Sequence, residues 1–199
     1  MLEIAQFPSA AQRILENMQH PETISACSLQ GLTILRDPAQ FNWAIIPIFI
    51  LVLYVYVNEF SKKNYAVILG GLAFWGMDWF NETWNALWFF FSERAPIWGA
   101  PANDTAGLLL IGLNLEITLM FAVLGVAAAK LLPADRDAKI LGLNNRIALA
   151  IINSILCCII ECGLNAAGAL TWEWTYWQAR FPFVLFLIAA TAELNRPPF

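Results

Sequence analysis

Phe74-Trp75-Gly76-Met77-Asp78-Trp79-Phe80-Asn81-Glu82-Thr83-Trp84-Asn85-Ala86-Leu87-Trp88-Phe89-Phe90-Phe91 is the stretch from which the fold follows. It is apolar enough to lie in a membrane, yet it carries Asp78, Asn81, Glu82 and Asn85. At about 100° per residue, spacings of i, i+3, i+4 and i+7 put all four on one helix face. A carboxylate near the bilayer centre costs roughly 2.5 kcal/mol or more. Two of them one turn apart therefore imply a polar site enclosed by other helices.

The rest of the composition agrees with a membrane setting. The chain of 199 residues is 59% hydrophobic and 13% charged, with a mean hydropathy of +0.60. Soluble domains carry about 25% charged residues, so an all-α polytopic membrane protein is expected. The 9 Trp and 14 Phe fall largely near segment ends, where aromatic belts form. A formal net charge of −4 and the lack of any basic run exclude a nucleic-acid partner. Four cysteines are too few for a disulfide framework, and Cys157, Cys158 and Cys162 read as small hydrophobes in one apolar segment. The single histidine, His20, lies outside the apolar segments, so axial ligands for a membrane haem and the usual ligands of a di-iron site are missing.

Two parts are expected. Residues 1–40 read as an N-terminal amphipathic helical hairpin, lying on the membrane or capping the bundle. Ser9 and Gln12 suggest a capping box, and a second helix is expected from Thr23 to Arg36. No basic segment precedes an apolar core at the N-terminus, so no cleaved signal peptide is expected. Residues 41–199 read as a bundle of five transmembrane helices, over about Phe41–Val57, Tyr65–Phe91, Ala106–Leu132, Arg146–Leu170 and Phe181–Leu194. Lys62, Lys63, Lys130, Arg136, Lys139 and Arg146 gather at one set of loops. The positive-inside rule then gives an integral, multi-pass protein with its N-terminus outside and its C-terminus cytoplasmic.

Counted from the outer segment ends, Glu82, Glu116 and Glu161 lie about nine to ten residues deep. At 1.5 Å per residue this is one level, roughly 13–15 Å below the surface. Ser154, Cys158, Glu161 and Asn165 form one stripe on the fourth segment, whereas Asn114 points away from Glu116 and, with Thr118, reads as helix–helix glue. Asp78, Glu82, Glu116 and Glu161 are the catalytic candidates. With no lysine or arginine at their depth in the spans, they either share protons or surround a cation. Asn81, Asn85 and Asn165 are expected to orient them. Trp75 and Trp88 share the face and suit a positive charge, although packing is their plainer role.

Asp78-x-x-x-Glu82 on the second segment and Leu115-Glu116-Ile117-Thr118 on the third resemble the paired motifs of the EXPERA-domain group, which includes the emopamil-binding sterol isomerase. That group carries His-x-x-x-Glu and Met-Glu-Thr there, so Asp78 stands where the family has its histidine. The size and logic of the chain are also similar to small integral-membrane terpene cyclases. Either resemblance implies a cofactor-independent isomerase or cyclase that protonates a lipophilic isoprenoid or sterol-like substrate and removes a proton elsewhere. On this view the partners are that substrate and the bilayer, the oligomeric state is left open, and no metal site is expected. Oxygen ligands alone leave room only for a hard divalent cation such as Mg²⁺. The competing readings are a proton- or cation-coupled transport component and a non-catalytic membrane subunit or lipid-binding protein.

Overall fold

A computed structural model describes residues 3–101, 105–175 and 177. Its helices are α1 (Ser9–Glu16), α2 (Ala26–Thr33), α3 (Ile45–Ser61), α4 (Tyr65–Ser92), α5 (Leu115–Leu131) and α6 (Asn145–Ala166). Two short antiparallel hairpins interrupt them. Strands β1 (Leu108–Leu110) and β2 (Leu113–Asn114) precede α5, and β3 (Lys139–Ile140) and β4 (Leu143–Asn144) precede α6. The molecule is thus mostly helical, as the sequence predicts. Among the described residues, α6 alone is long and apolar enough to cross a membrane, while α3 is apolar but shorter. The fifth expected segment, Phe181–Leu194, lies outside the described residues.

Helices α3, α4 and α5 form the packed centre. α4 and α5 meet where neither has a side chain to keep them apart. A Cβ placed on Gly125 would lie 2.6 Å from the Gly71 carbonyl oxygen, and one on Gly71 would lie 2.7 Å from Val126 Cγ2. Around this crossing Tyr56 Oη donates to the Ala122 carbonyl at 3.1 Å, and Trp75 Nε1 donates to Thr118 Oγ1 at 2.8 Å. Trp75 therefore ties α4 to α5, and Thr118 is the interhelical glue expected of it. Beyond the crossing, the buried Glu59 carboxylate receives Lys130 Nζ at 2.6 Å and Asn64 Nδ2 at 2.9 Å, joining the ends of α3 and α5 to the α3–α4 turn.

The third segment differs from expectation. It is helical only from Leu115, because residues 108–114 form the first hairpin and Asn114 Oδ1 caps the helix by accepting from Ile117 N at 2.8 Å. Asn114 is thus a helix cap rather than glue.

Residues before 40 cap the bundle. Phe7, Ala11, Leu15, Leu32 and Leu35 share one apolar core with Phe89, Ala100, Leu108 and Ile111. Two boundaries shift. α1 starts at Ser9 behind Pro8, without a side-chain cap, and Gln12 Nε2 reaches back to the Phe7 carbonyl at 2.8 Å. α2 starts only at Ala26, where Ser25 caps Ser28 N. The cap is fastened to the end of α4 by Glu93, whose carboxylate accepts from the backbone N–H groups of Gln19 and His20, each at 2.6 Å.

Candidate functional site

One turn from the end of α4, the chain folds back over the helix it has just left. Asn85, fully buried, holds that loop by its backbone. Its Oδ1 accepts from Ile97 N at 2.8 Å, and its Nδ2 donates to the Trp98 carbonyl at 2.7 Å. The loop runs Ala95-Pro96-Ile97-Trp98-Gly99-Ala100, which is apolar for a connection, and most of it is buried. Gly99 and Thr171 exchange backbone hydrogen bonds at 3.0 and 2.8 Å, and Trp174 Nε1 donates to the Pro96 carbonyl at 2.9 Å. The segment after α6 thereby clasps the loop from the other side.

This clasp aims Trp98 at Glu82. The indole Nε1 donates to Glu82 Oε1 at 2.7 Å. The second oxygen, Oε2, has no hydrogen-bond partner among the described residues. It faces the turn of the first hairpin, where a Cβ on Gly112 would come within 2.7 Å of it. One turn along α4, Asp78 is also buried, and its Oδ2 is likewise without a partner. Glu161 of α6 stands close enough to Glu82 for their charges to interact, as does Asp78. Of the four expected acids, three thus gather around α4. They do not converge as metal ligands: among the described residues no three His, Cys, Asp or Glu side chains could hold a metal ion.

The fourth acid is elsewhere. Because α5 begins at Leu115, Glu116 lies in its first turn rather than ten residues into a span. Both its oxygens are taken, by Thr105 Oγ1 and by Ala106 N, each at 2.6 Å. Glu116 fastens the strand leading into the hairpin, and the expectation of a common depth fails for it. Three other assignments change. Asn81 is exposed, at the edge of the buried face. Asn165 Nδ2 donates to the Leu170 carbonyl at 3.0 Å and closes the end of α6. Trp88 joins an aromatic row, its ring centroid 5.7 Å from that of Trp84 and 6.0 Å from that of Trp174. Asn85, expected to orient the carboxyls, holds the backbone of the Trp98 loop.

Trp98 and Gly112 are the site residues that the helical periodicity of the spans does not reveal, since both sit in connections. The available signal is the apolar character of the connections themselves. A surface loop is ordinarily polar, and Ala-Pro-Ile-Trp-Gly-Ala is a loop that must be packed against something.

The structure is thus a helical protein with buried carboxylates on a long helix and one helix long and apolar enough to cross a bilayer. The comparisons agree. Residues 25–193 match an uncharacterized membrane protein family, and the chain belongs to it. A protein of Archaeoglobus fulgidus, itself described as uncharacterized, is 55% identical over 159 residues, covering 80% of this chain and 75% of the relative. No solved structure matches.

Proposed function

We propose that this chain is a multi-pass membrane enzyme that isomerises or cyclises a lipophilic isoprenoid or sterol-like substrate by carboxyl acid/base chemistry. On this reading the segments expected at residues 41–199 make five spans, with the N-terminus outside and the C-terminus cytoplasmic. The observation that carries the proposal is the division of labour within Glu82. One oxygen is fixed by Trp98 and the other is left without a partner, beside an Asp78 oxygen in the same condition. Buried polar atoms are ordinarily satisfied, and a catalytic role is one reason for an exception.

In the proposed step the protonated member of the set gives its proton to an alkene or epoxide, forming a carbocation. A neighbouring ionised carboxyl then takes a proton from an adjacent carbon, so the proton count is unchanged over the cycle. Glu82 is the acid best positioned by its surroundings, with Asp78 or Glu161 as base. The Trp98 ring meets Glu82 by its edge, through the Nε1–H donated to Oε1, and so fixes the orientation of the carboxyl. Gly112 packs closely against the working oxygen, where a Cβ would come within 2.7 Å of it. Glu116, with both oxygens occupied, supports the hairpin and takes no part in proton transfer.

The test is mass spectrometry of lipids extracted from the purified protein. Glu82→Gln keeps the shape of the side chain and is expected to trap a neutral isoprenoid that the wild type releases as its isomer. Recovery of the same unaltered lipid from both proteins favours the lipid-binding reading. A proton flux into proteoliposomes that Glu82→Gln abolishes favours the transport reading, for which buried acids at successive turns of α4 would be the relay.

A further inference from the structure

Two segments thirty residues apart repeat one another in sequence and in form. Leu110-Ile111-Gly112-Leu113-Asn114 and Ile140-Leu141-Gly142-Leu143-Asn144 each make the end of a hairpin whose asparagine caps the following helix. Asn144 Oδ1 accepts from Arg146 N at 2.9 Å, as Asn114 does from Ile117 N at 2.8 Å. Their surroundings differ. The first hairpin is buried, with Leu108, Ile111 and Leu113 covered and the backbone of Gly31 in α2 facing Ile111. The second has no such cover among the described residues: Leu141 is 96% exposed and Leu143 48%.

The second turn is also built against local preference. Leu141 and Gly142 have φ of 53° and 81°, the two positive values of a tight hairpin turn. Asn, Asp or Gly ordinarily takes the first of these positions. A leucine is strained there, and in water its side chain would gain nothing in return.

Charge identifies what the leucine meets. Glu59 already engages Lys62 and Lys130, at 3.8 and 2.6 Å. Lys63, Arg136, Lys139 and Arg146 are left at this end of the bundle with no ion-pair partner among the described residues, against Asp135 and Asp137. The hairpin runs directly into α6, the helix long and apolar enough to cross a membrane, so a bilayer spanned by α6 would have its surface at the base of the hairpin. An apolar tip rimmed by lysine and arginine is the pattern of a segment seated at the headgroup boundary of an anionic leaflet.

We propose that the β3–β4 hairpin is an interfacial wedge, with Leu141 and Leu143 inserted among the lipids and Arg136 and Lys139 meeting anionic headgroups. The proposal is independent of the carboxyl chemistry above. It makes the protein sensitive to lipid charge at the face opposite its N-terminal cap.

The test uses the full chain with Cys27, Cys157, Cys158 and Cys162 changed to alanine and an environment-sensitive fluorophore on Leu143→Cys. The protein is reconstituted into phosphatidylcholine vesicles with or without phosphatidylglycerol. Nitroxide carried at headgroup level is expected to quench the probe several-fold more strongly when phosphatidylglycerol is present. Leu141→Asn, which suits the turn and leaves the hairpin intact, is expected to abolish that quenching. Arg136→Gln with Lys139→Gln is expected to reduce it to the level seen in phosphatidylcholine. Equal quenching in Leu141→Asn, or a water-like probe in both vesicle types, would overturn the proposal. So would disulfide cross-linking of Leu141→Cys between two copies without lipid quenching, which would make a second copy the occupant.

Discussion

Gly112 faces three side chains at once. A Cβ there would come 2.5 Å from Asn85 Nδ2, 2.7 Å from Glu82 Oε2 and 2.9 Å from Trp98 Cδ1. Gly112→Ala is therefore an overpacking substitution, expected to cost about 1–3 kcal/mol. It should appear as a lower thermal midpoint together with lost turnover, because the atoms displaced are those that position Glu82. At the repeat-related Gly142 nothing lies within 4 Å. Gly142→Ala should strain only the local turn and leave turnover unchanged. Asn85→Ala removes the partner of the Ile97 and Trp98 backbone groups. Leaving such groups buried and unpaired costs about 1–3 kcal/mol, readable as reduced thermal stability. At this scale the sequence was informative wherever residues shared a helix face. Asp78, Glu82 and Asn85 are buried together, as their spacing requires. Asn81 is not, because a helix of 3.6 residues per turn spreads i, i+3, i+4 and i+7 over a wide sector, and its edge can still face outward.

Elements meet here through small residues and shared charges. Gly71 and Gly125 let α4 and α5 touch by their backbones, so a leucine at either should separate the helices and break the Trp75–Thr118 hydrogen bond. The expected result is loss of folded protein in detergent, measured by size-exclusion chromatography. The Glu59–Lys130 pair is asymmetric: Glu59 is 2% exposed and Lys130 47%. Removing the lysine strands a buried carboxylate, while removing the acid frees a lysine that can reach water. Lys130→Met should thus lower the thermal midpoint more than Glu59→Gln. α4 and α6 were legible because their apolar runs are long and their polar residues fall at helical spacing. The third segment misled because Gly107-Leu-Leu-Leu-Ile-Gly-Leu113 is apolar throughout, and a short apolar run does not distinguish strand from helix. Starting the helix nine residues early moved Glu116 from a first-turn position to mid-span, and its expected depth went with it.

The described residues form two unlike ends joined by α3, α4 and α5. At one, helices α1 and α2 cover the first hairpin and the tryptophan-rich segment clasps the loop over Glu82. At the other, basic residues surround an exposed hairpin of the same design. The same five-residue pattern ends the hairpin before α5 and the hairpin before α6. It is hard to see in hydropathy, because both copies dissolve into apolar runs. The fold class and the membrane setting came through from composition. Closure of the site did not, since it depends on loop residues whose partners lie far along the chain, such as Gly99 with Thr171.

The central claim is that the partnerless oxygen of Glu82 moves a proton on a lipid-soluble substrate. Its most direct test is turnover of an isoprenoid extract by protein reconstituted in vesicles, comparing wild type, Glu82→Gln and Glu116→Gln at matched folded amounts. A positioned acid or base is worth about 10²–10⁴ in rate. The account predicts a loss of that size for Glu82→Gln, with Glu116→Gln converting substrate at a rate limited only by its stability. Wild-type turnover by Glu82→Gln would contradict it.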